Sequence, residues 1–226
     1  MARGRERPRY EEEKKEWIPK TKLGQSVMKG EFKSLEEILE KGLVVLEPEI
    51  VDYFIPDIKE EVVYIGGSPG KGGGTRRTAT KRTARMHKSG RRFTLTALVI
   101  IGNENGIVGL GESSSREHRI ALEKAITQAK LNVIRVRKGC GSWECGCKGD
   151  HSIPRKTTGK FGSVSVVLKP GPKGLGIVSD SASKKLLALA GIKDIWVTTI
   201  GSTSTRKNLI YAVFGALKNL NSAKGV

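Results

Sequence analysis

Apolar and polar residues alternate most regularly in the middle of the chain. The apolar positions of this segment are Phe93, Leu95, Ala97, Val99 and Ile101. A period of two, with Thr, Val and Ile in the segment, predicts a strand with one buried face. A second apolar run, residues 107–110, follows Asn105-Gly106, a dipeptide typical of hairpin turns. The pattern therefore predicts a β-hairpin in this region.

Short helices are predicted before the hairpin. Residues 34–37 have the Ser-x-x-Glu form of a capping box, and Gly42 lies where a helix would stop. Residues 47–54 carry a proline near their start and are followed by another, so they predict a second short helix. Residues 1–16 alternate in charge with almost no apolar content, which predicts a tail that is disordered until it binds a partner.

A longer helix is predicted after the hairpin. Residues 114–117 repeat the capping-box form, and helical spacing continues to about Asn132. Its apolar stripe comprises Ala121, Leu122, Ala125, Ile126 and Ala129. Strands followed by a helix predict one α+β domain that ends near Val136.

The last part of the chain predicts a separate module. Residues 164–168 alternate as a strand, 182–190 have helical spacing, 195–199 form a second strand and 207–220 a final helix. Strand, helix, strand, helix predicts a compact two-layer α/β module. The hydroxyl-rich residues 201–205 before the final helix fit either an anion site or simple helix capping.

Charge is distributed unevenly along the chain. Lys and Arg total 41 against 23 Asp and Glu, a formal net charge of +18. Residues 1–61 hold 12 basic and 15 acidic side chains, whereas residues 62–226 hold 29 basic and 8 acidic ones. A cationic body favours a polyanionic partner over a merely soluble surface.

The densest basic stretch lies between Val62 and Asn103, which contains no Asp or Glu. Its cations and three further arginines at predicted helix starts are the candidate RNA-binding residues. They are Lys71, Arg76, Arg77, Lys81, Arg82, Arg85, Lys88, Arg91, Arg92, Arg116, Arg119 and Arg206. For the residues at helix starts, a solvated face is an equally good interpretation.

Residues 66–74 form a glycine-rich segment that predicts a flexible loop. A nucleotide-binding Walker loop needs Gly-Lys-Ser/Thr after a glycine five residues earlier, but here Gly72 follows Lys71 and Ile65 takes the earlier position. The segment therefore does not predict an NTPase.

The most localised chemistry is the set Cys140, Cys145, Cys147 and His151. Three thiols and one imidazole are the right number and type for a tetrahedral structural zinc site. The Cys-x-Cys spacing is shorter than usual for zinc, so free reduced thiols and a redox site stay open as alternatives. Three crowded cysteines favour a reducing compartment, and no apolar run is long enough to span a membrane.

Four strings carry a specific resemblance: SGRRFTLTALVIIGNENGIVGLG (89–111), KLNVIRVRKGCGSWECGC (130–147), HSIPRKTTGKFGSVSVVLKPGPKGLGIVS (151–179) and LAGIKDIWVTTIGSTSTRKNLIYAVFGAL (189–217). They resemble the small-subunit ribosomal protein S-five family, in its archaeal and eukaryotic form.

The resemblance implies an α+β fold with four parts. They are an N-terminal helical extension (1–55), a domain similar to a double-stranded-RNA-binding domain (56–136), a Cys/His linker loop (137–151) and a left-handed βαβ module (152–226).

The resemblance also implies a cytoplasmic protein of the small ribosomal subunit that binds rRNA and lies close to where mRNA enters. Its expected neighbours are the S-four and S-eight proteins, and it would support decoding accuracy through the S-four contact. No membrane partner and no homo-oligomer are expected.

Two other functions compete with this one. An RNA-processing enzyme is disfavoured because His87, His118 and His151 are scattered and no paired carboxylates are placed to hold Mg²⁺. A free double-stranded-RNA-binding regulator is the other alternative.

Overall fold

The computed structural model describes residues 17–70, 74–147 and 149–221. Its helices are α1 (Lys22–Met28), α2 (Leu35–Glu40), α3 (Glu49–Phe54), α4 (His118–Leu131), α5 (Ser181–Leu189) and α6 (Arg206–Asn221). Its strands are β1 (Lys59–Val62), β2 (Gly66–Pro69), β3 (Thr75–Thr78), β4 (Thr80–His87), β5 (Gly90–Gly102), β6 (Ile107–Ser115), β7 (Val133–Arg135), β8 (Thr157–Phe161), β9 (Val164–Pro170), β10 (Ile177–Val178) and β11 (Ile195–Gly201). The tail 1–16, predicted to be disordered, lies outside the described residues.

The first capping box and the proline-flanked helix are confirmed. The Ser34 hydroxyl accepts a hydrogen bond from the backbone N–H of Glu37 at 3.4 Å. Gly42, at φ +70°, ends α2 in a left-handed conformation that costs glycine little. The pattern did not predict α1, whose start is held by the buried carboxylate of Glu47.

Glu47 accepts hydrogen bonds from the Trp17 indole (2.8 Å) and from the backbone N–H groups of Lys20 (2.8 Å) and Thr21 (2.6 Å). Burial raises the pKa of Glu47, but these hydrogen bonds outweigh burial, and the pKa lies below its ordinary value. A single carboxylate thus ties the first described residues to α3.

The main sheet has the strand order β1-β5-β6-β7, with β4 also paired to β5. The hairpin of β5 and β6 is confirmed, and its turn is closed by the Asn103 side chain, which accepts from Asn105 N and Ile107 N. The prediction of one buried face was wrong, because residues 97–102 of β5 are buried on both faces and residues 90–94 on neither.

The two faces of β5 join two different cores. Leu98 and Ile100 pack with residues of α5, α6 and β9, whereas Val99 and Ile101 pack with α4 and the N-terminal helices. The first cluster runs without interruption from the main sheet into the C-terminal module. The central strand is therefore held between two layers that come from opposite ends of the chain.

The second predicted capping box was wrong. Ser114 and Ser115 belong to β6, where they pair with Thr96 and Leu95 of β5. Helix α4 begins only at His118, and its N-cap residue, Glu117, makes no side-chain capping bond. Because the backbone of these serines pairs with β5, the serines are in a strand and cannot cap the start of α4. The predicted end of the helix is confirmed within a residue.

Helix α4 lies unusually close to β6 because glycine and alanine face each other. Ala125 and Ala129 are fully buried on the helix. A Cβ atom added at Gly111 would overlap their backbone, and one added at Gly109 would overlap the carbonyl of Ala129. This contact requires glycine on the strand.

The prediction of a loop over residues 66–74 was wrong for residues 66–69, which form strand β2. Strand β2 pairs antiparallel with β3 from Gly66 opposite Thr78 to Pro69 opposite Thr75. Residues 71–73, including Lys71, lie outside the described part of the chain. The glycines do not prevent strand pairing, because the partner strand supplies the hydrogen bonds.

The C-terminal module has a four-stranded sheet of order β10-β11-β9-β8. The predicted strands and helices here are confirmed, and β8 and β10 are additional. Strands β10 and β11 run parallel and are connected through α5, whereas β11, β9 and β8 are antiparallel neighbours. Among the described residues, no helix is both long and apolar enough to cross a membrane.

Candidate functional site: a cationic hairpin and a Cys3His group

Strand β4 and residues 90–96 of β5 form a two-stranded ribbon, here called the hairpin arm. It projects past the end of β6, whose pairing with β5 stops at Leu95. Every residue from 81 to 94 is exposed. The arm contains six of the predicted RNA-binding residues and no acidic residue. They are Lys81, Arg82, Arg85, Lys88, Arg91 and Arg92.

 These six cations lie on both strands and in the turn between them. Their role in RNA binding stays a prediction.

One face of the hairpin arm sets like charges directly against each other. Arg85 lies opposite Arg92 in the antiparallel register, and directly opposed residues project their side chains on the same side of the ribbon. Within residues 17–70, 74–147 and 149–221, neither arginine forms an ion pair with a carboxylate. The Arg92 guanidinium donates to the Ser89 hydroxyl, at 3.0 Å. Both charges are therefore available to an external anion.

The opposite face combines arginine with exposed apolar groups. The Arg82 guanidinium lies 3.6 Å from the centroid of the Phe93 ring, and that of Arg91 lies 5.7 Å from it. Met86, opposite Arg91, is 77% exposed. Cation–π contacts hold the guanidinium groups in place without neutralising them.

The other predicted RNA-binding residues lie in different settings. Arg76 and Arg77 are exposed on β3, and Arg116 is exposed just before α4. Arg119 forms an ion pair with Glu123 one helical turn later. Arg206 is half-buried at the start of α6, where it donates to the Tyr64 carbonyl at 3.4 Å.

The predicted RNA-binding residues therefore fall into two groups. The structure brings the arm residues together, whereas Arg119 and Arg206 have partners within the protein.

The Cys3His group consists of Cys140, Cys145, Cys147 and His151, and the structure brings all four together. Their potential ligand atoms all lie within 4.8 Å of one another. Cys145 Sγ is 3.1 Å from Cys147 Sγ, and His151 Nε2 is 3.1 Å from Cys147 Sγ and 3.8 Å from Cys145 Sγ. Ligand atoms bound to one tetrahedral zinc ion stand roughly 3.5–3.8 Å apart, so the observed spacing is close to what a metal needs.

The loop that carries the group is anchored at both ends. Gly139 and Ser152 exchange backbone hydrogen bonds of 2.9 and 3.0 Å. The His151 carbonyl accepts from the N–H groups of Lys193 (2.9 Å) and Asp194 (3.0 Å). The C-terminal module therefore fixes the imidazole.

Asp194 completes the site, although no sequence pattern indicates its role. Its Oδ2 lies 2.8 Å from His151 Nδ1, while its Oδ1 accepts from Gly174 N (3.1 Å) and Gly176 N (2.8 Å). A carboxylate on the far nitrogen of a histidine is the usual support of a metal-binding imidazole, because it orients Nε2 as the ligand. The one local signal is an acidic residue directly before the predicted strand at 195–199, and this signal does not identify His151 as its partner.

The electrostatic environment differs between the members of the group. Contact with Cys147, together with backbone N–H groups of Lys173 and Cys147, lowers the pKa of Cys145 to about 6. Burial raises the pKa of Asp194, but the hydrogen bonds from Gly176, Gly174 and His151 outweigh burial and leave the pKa below its ordinary value. Burial raises the pKa of Cys140. A thiolate, an oriented imidazole and two further thiols suit a soft divalent cation.

Comparison with known proteins identifies the family. Residues 75–137 match the ribosomal protein S5 N-terminal domain, and residues 159–226 match the ribosomal protein S5 C-terminal domain. Small ribosomal subunit protein uS5 of Methanocaldococcus jannaschii is 47% identical over 206 residues, covering 91% of this chain and 88% of the relative. The protein of the same name from Methanocorpusculum labreanum is 47% identical over 212 residues, covering 94% and 95%.

A third relative with this name, from Staphylothermus marinus, is 45% identical over 203 residues, covering 90% of this chain and 88% of its own. The resemblance noted in the sequence is thereby confirmed. The chain belongs to the uS5 family of ribosomal proteins, structural constituents of the small subunit that are not enzymes.

Proposed function

We propose that this uS5 protein binds small-subunit rRNA through the hairpin arm. The observation that carries the proposal is the direct opposition of Arg85 and Arg92 on an exposed ribbon. Like charges on directly opposed residues repel, and a phosphate placed between them would relieve the repulsion. Phosphate contacts suit RNA duplexes because the deep major groove of A-form RNA hides its bases.

The family suggests the finer architecture and surroundings. We infer that the N-terminal domain is of the double-stranded-RNA-binding type and the C-terminal module a left-handed βαβ unit. In the cytoplasmic small subunit, the protein would contact S-four and S-eight proteins near the place where mRNA enters. Its contact with the S-four protein would support decoding accuracy.

Removing two arm charges tests the rRNA proposal. The double variant Arg91→Ala/Arg92→Ala should weaken binding to small-subunit rRNA and lower the slope of log K against log salt by about 1.5 units, because each lost phosphate contact removes about 0.7–0.9. The measurement is a filter-binding series across salt concentrations.

Lys20→Ala/Lys59→Ala is the matched control. It removes the same charge from exposed positions in the acidic N-terminal part of the chain. It should leave the slope nearly unchanged. Equal slopes for the wild type and the arm variant would reject the role of the arm.

We also propose that the Cys3His group holds one structural Zn²⁺. The support is the donor set, the ligand spacing and the Asp194 carboxylate behind His151. A bound zinc ion would cross-link the loop. The chain's own residues fix the imidazole and keep Cys145 ready to ionise.

Metal analysis tests the zinc proposal. The purified protein should contain about one zinc per chain, and Cys145→Ser should lose it. Ser142→Ala, in the same loop but outside the donor set, should retain the metal. Both hydrophobic cores lie outside this loop, so both variants should stay folded. A folded wild-type protein without metal would contradict the proposal.

A further inference from the structure

The sheet of the C-terminal module has one covered and one open face. Val164, Val166 and Leu168 of β9 are buried in the core that includes α5 and α6. The alternate residues point away from that core, and among them Lys169 of β9, with Trp196 and Ile200 of β11, is exposed. An exposed sheet face that carries large apolar side chains commonly marks an interaction surface.

One corner of the open face forms a cleft against the Cys/His loop. The cleft has a volume of about 480 Å³, and its lining includes Trp143, Trp196, Lys156, Lys169, Glu144 and Pro172. We call it the tryptophan cleft. Trp143 is 92% exposed and Trp196 43% exposed. Two of the protein's three tryptophans therefore meet solvent at one place.

The backbone register accounts for this arrangement. Lys169 lies directly opposite Trp196, so the lysine side chain and the indole lie on the same open face of the sheet. Lys156 directly precedes β8, whose first residue, Thr157, lies opposite Leu168. The two lysines are thus neighbours across the β8–β9 ladder.

The opposite wall is held by the Cys/His loop. Gly141 N donates to the Ile153 carbonyl at 3.1 Å, and Cys145 N donates to the Ser142 carbonyl at 3.3 Å. These bonds fix the backbone on both sides of Trp143. The indole is therefore presented to solvent by an ordered turn.

We propose that the tryptophan cleft binds an unpaired segment of RNA, with bases stacked on Trp143 and Trp196 and phosphates at Lys156 and Lys169. Exposed aromatic rings beside cations are the usual platform for single-stranded nucleic acid, since every base offers a π-face. Exposed tryptophans also occur at protein interfaces, but lysine is depleted there, and this cleft carries two lysines beside its tryptophans, which favours an anionic partner. This contact is separate from the hairpin arm and uses a different form of RNA.

Binding of two RNA probes to the full-length protein tests the proposal. One probe is a fluorescein-labelled ten-nucleotide oligouridylate, and the other is a labelled RNA duplex of ten base pairs, both followed by fluorescence anisotropy. Trp143→Ala and Trp196→Ala should each weaken oligouridylate binding about tenfold, because one stacked base is lost. Duplex binding should change less than twofold.

Three controls make the result specific. Trp143→Phe should recover most of the affinity, because a smaller ring still stacks. Trp17→Phe should have no effect, since Trp17 lies with Glu47 at the other end of the chain. Arg91→Ala/Arg92→Ala should weaken duplex binding more than oligouridylate binding, so failure of the hairpin-arm proposal can be distinguished from failure of this one.

Two outcomes would overturn the proposal. Unchanged oligouridylate affinity in both tryptophan-to-alanine variants would exclude the cleft as a single-strand site. Equal losses for the duplex and the single strand would also exclude it, because they would indicate a general change in the protein. Thermal unfolding followed by circular dichroism shows whether each variant is folded, and the exposure of Trp143 predicts that Trp143→Ala is.

Discussion

The inner and outer halves of β5 share one continuous backbone but have opposite surroundings. Residues 97–102 are buried on both faces and pair with β6 on one side. Residues 90–94 are exposed on both faces, and β4 is their one partner among the described strands. A two-stranded ribbon is marginally stable alone. The outer half therefore depends on the inner half for its order.

The inner half of β5 contributes to folding stability, whereas the outer half carries the positive charge. The inner half joins the two hydrophobic clusters through alternate residues such as Leu98 and Val99. The outer half carries Arg91 and Arg92 with no acidic neighbour in the ribbon. Because folding free energy comes from the inner half, repulsion in the outer half is tolerated.

Truncating the same side chain in each half should give the largest contrast. Leu98→Ala removes a fully buried side chain between the sheet and the C-terminal module and should lower the free energy of unfolding by about 2–5 kcal/mol. Leu95→Ala removes a half-buried side chain near the arm and should cost less than about 1.5 kcal/mol. Urea denaturation followed by circular dichroism measures both. Similar losses for the two variants would show that the halves do not differ in this way.

The hydrophobic pattern predicted the strand but not its division into halves. Period-two alternation placed the odd-numbered residues from Phe93 to Ile101 on one buried face. Whether the other face is also buried depends on the even-numbered residues, such as Leu98 and Ile100. Residues 97–101 read Ala-Leu-Val-Ile-Ile without a polar residue, which is the signal of a strand buried on both sides. The layer that covers the second face comes from α5 and α6, which lie about 80 residues or more further along the chain. The local sequence pattern of β5 therefore could not predict which elements cover this face.

The candidate sites show the same limit. The donors of the Cys3His group lie within one loop and could be predicted from their spacing, whereas Asp194 reaches His151 only through the fold of the C-terminal module. Basic composition predicted the arm residues, but β4 has no apolar alternation, so the opposition of Arg85 and Arg92 could not be foreseen.

The smallest predicted effect tests whether the outer half carries electrostatic strain. Arg85→Thr removes one of two directly opposed cations and should raise the free energy of unfolding by about 0.2–1 kcal/mol at low salt. Lys81→Thr is the matched control, because its partner across the ladder is the uncharged Thr96. The gain from Arg85→Thr should exceed that of the control at low ionic strength and disappear in 1 M salt, where charges are screened beyond about 3 Å. Urea denaturation at both salt concentrations measures this difference. A gain that persists in 1 M salt would have another origin than repulsion, and equal gains for the two variants would mean that Arg92 is not the group that repels Arg85.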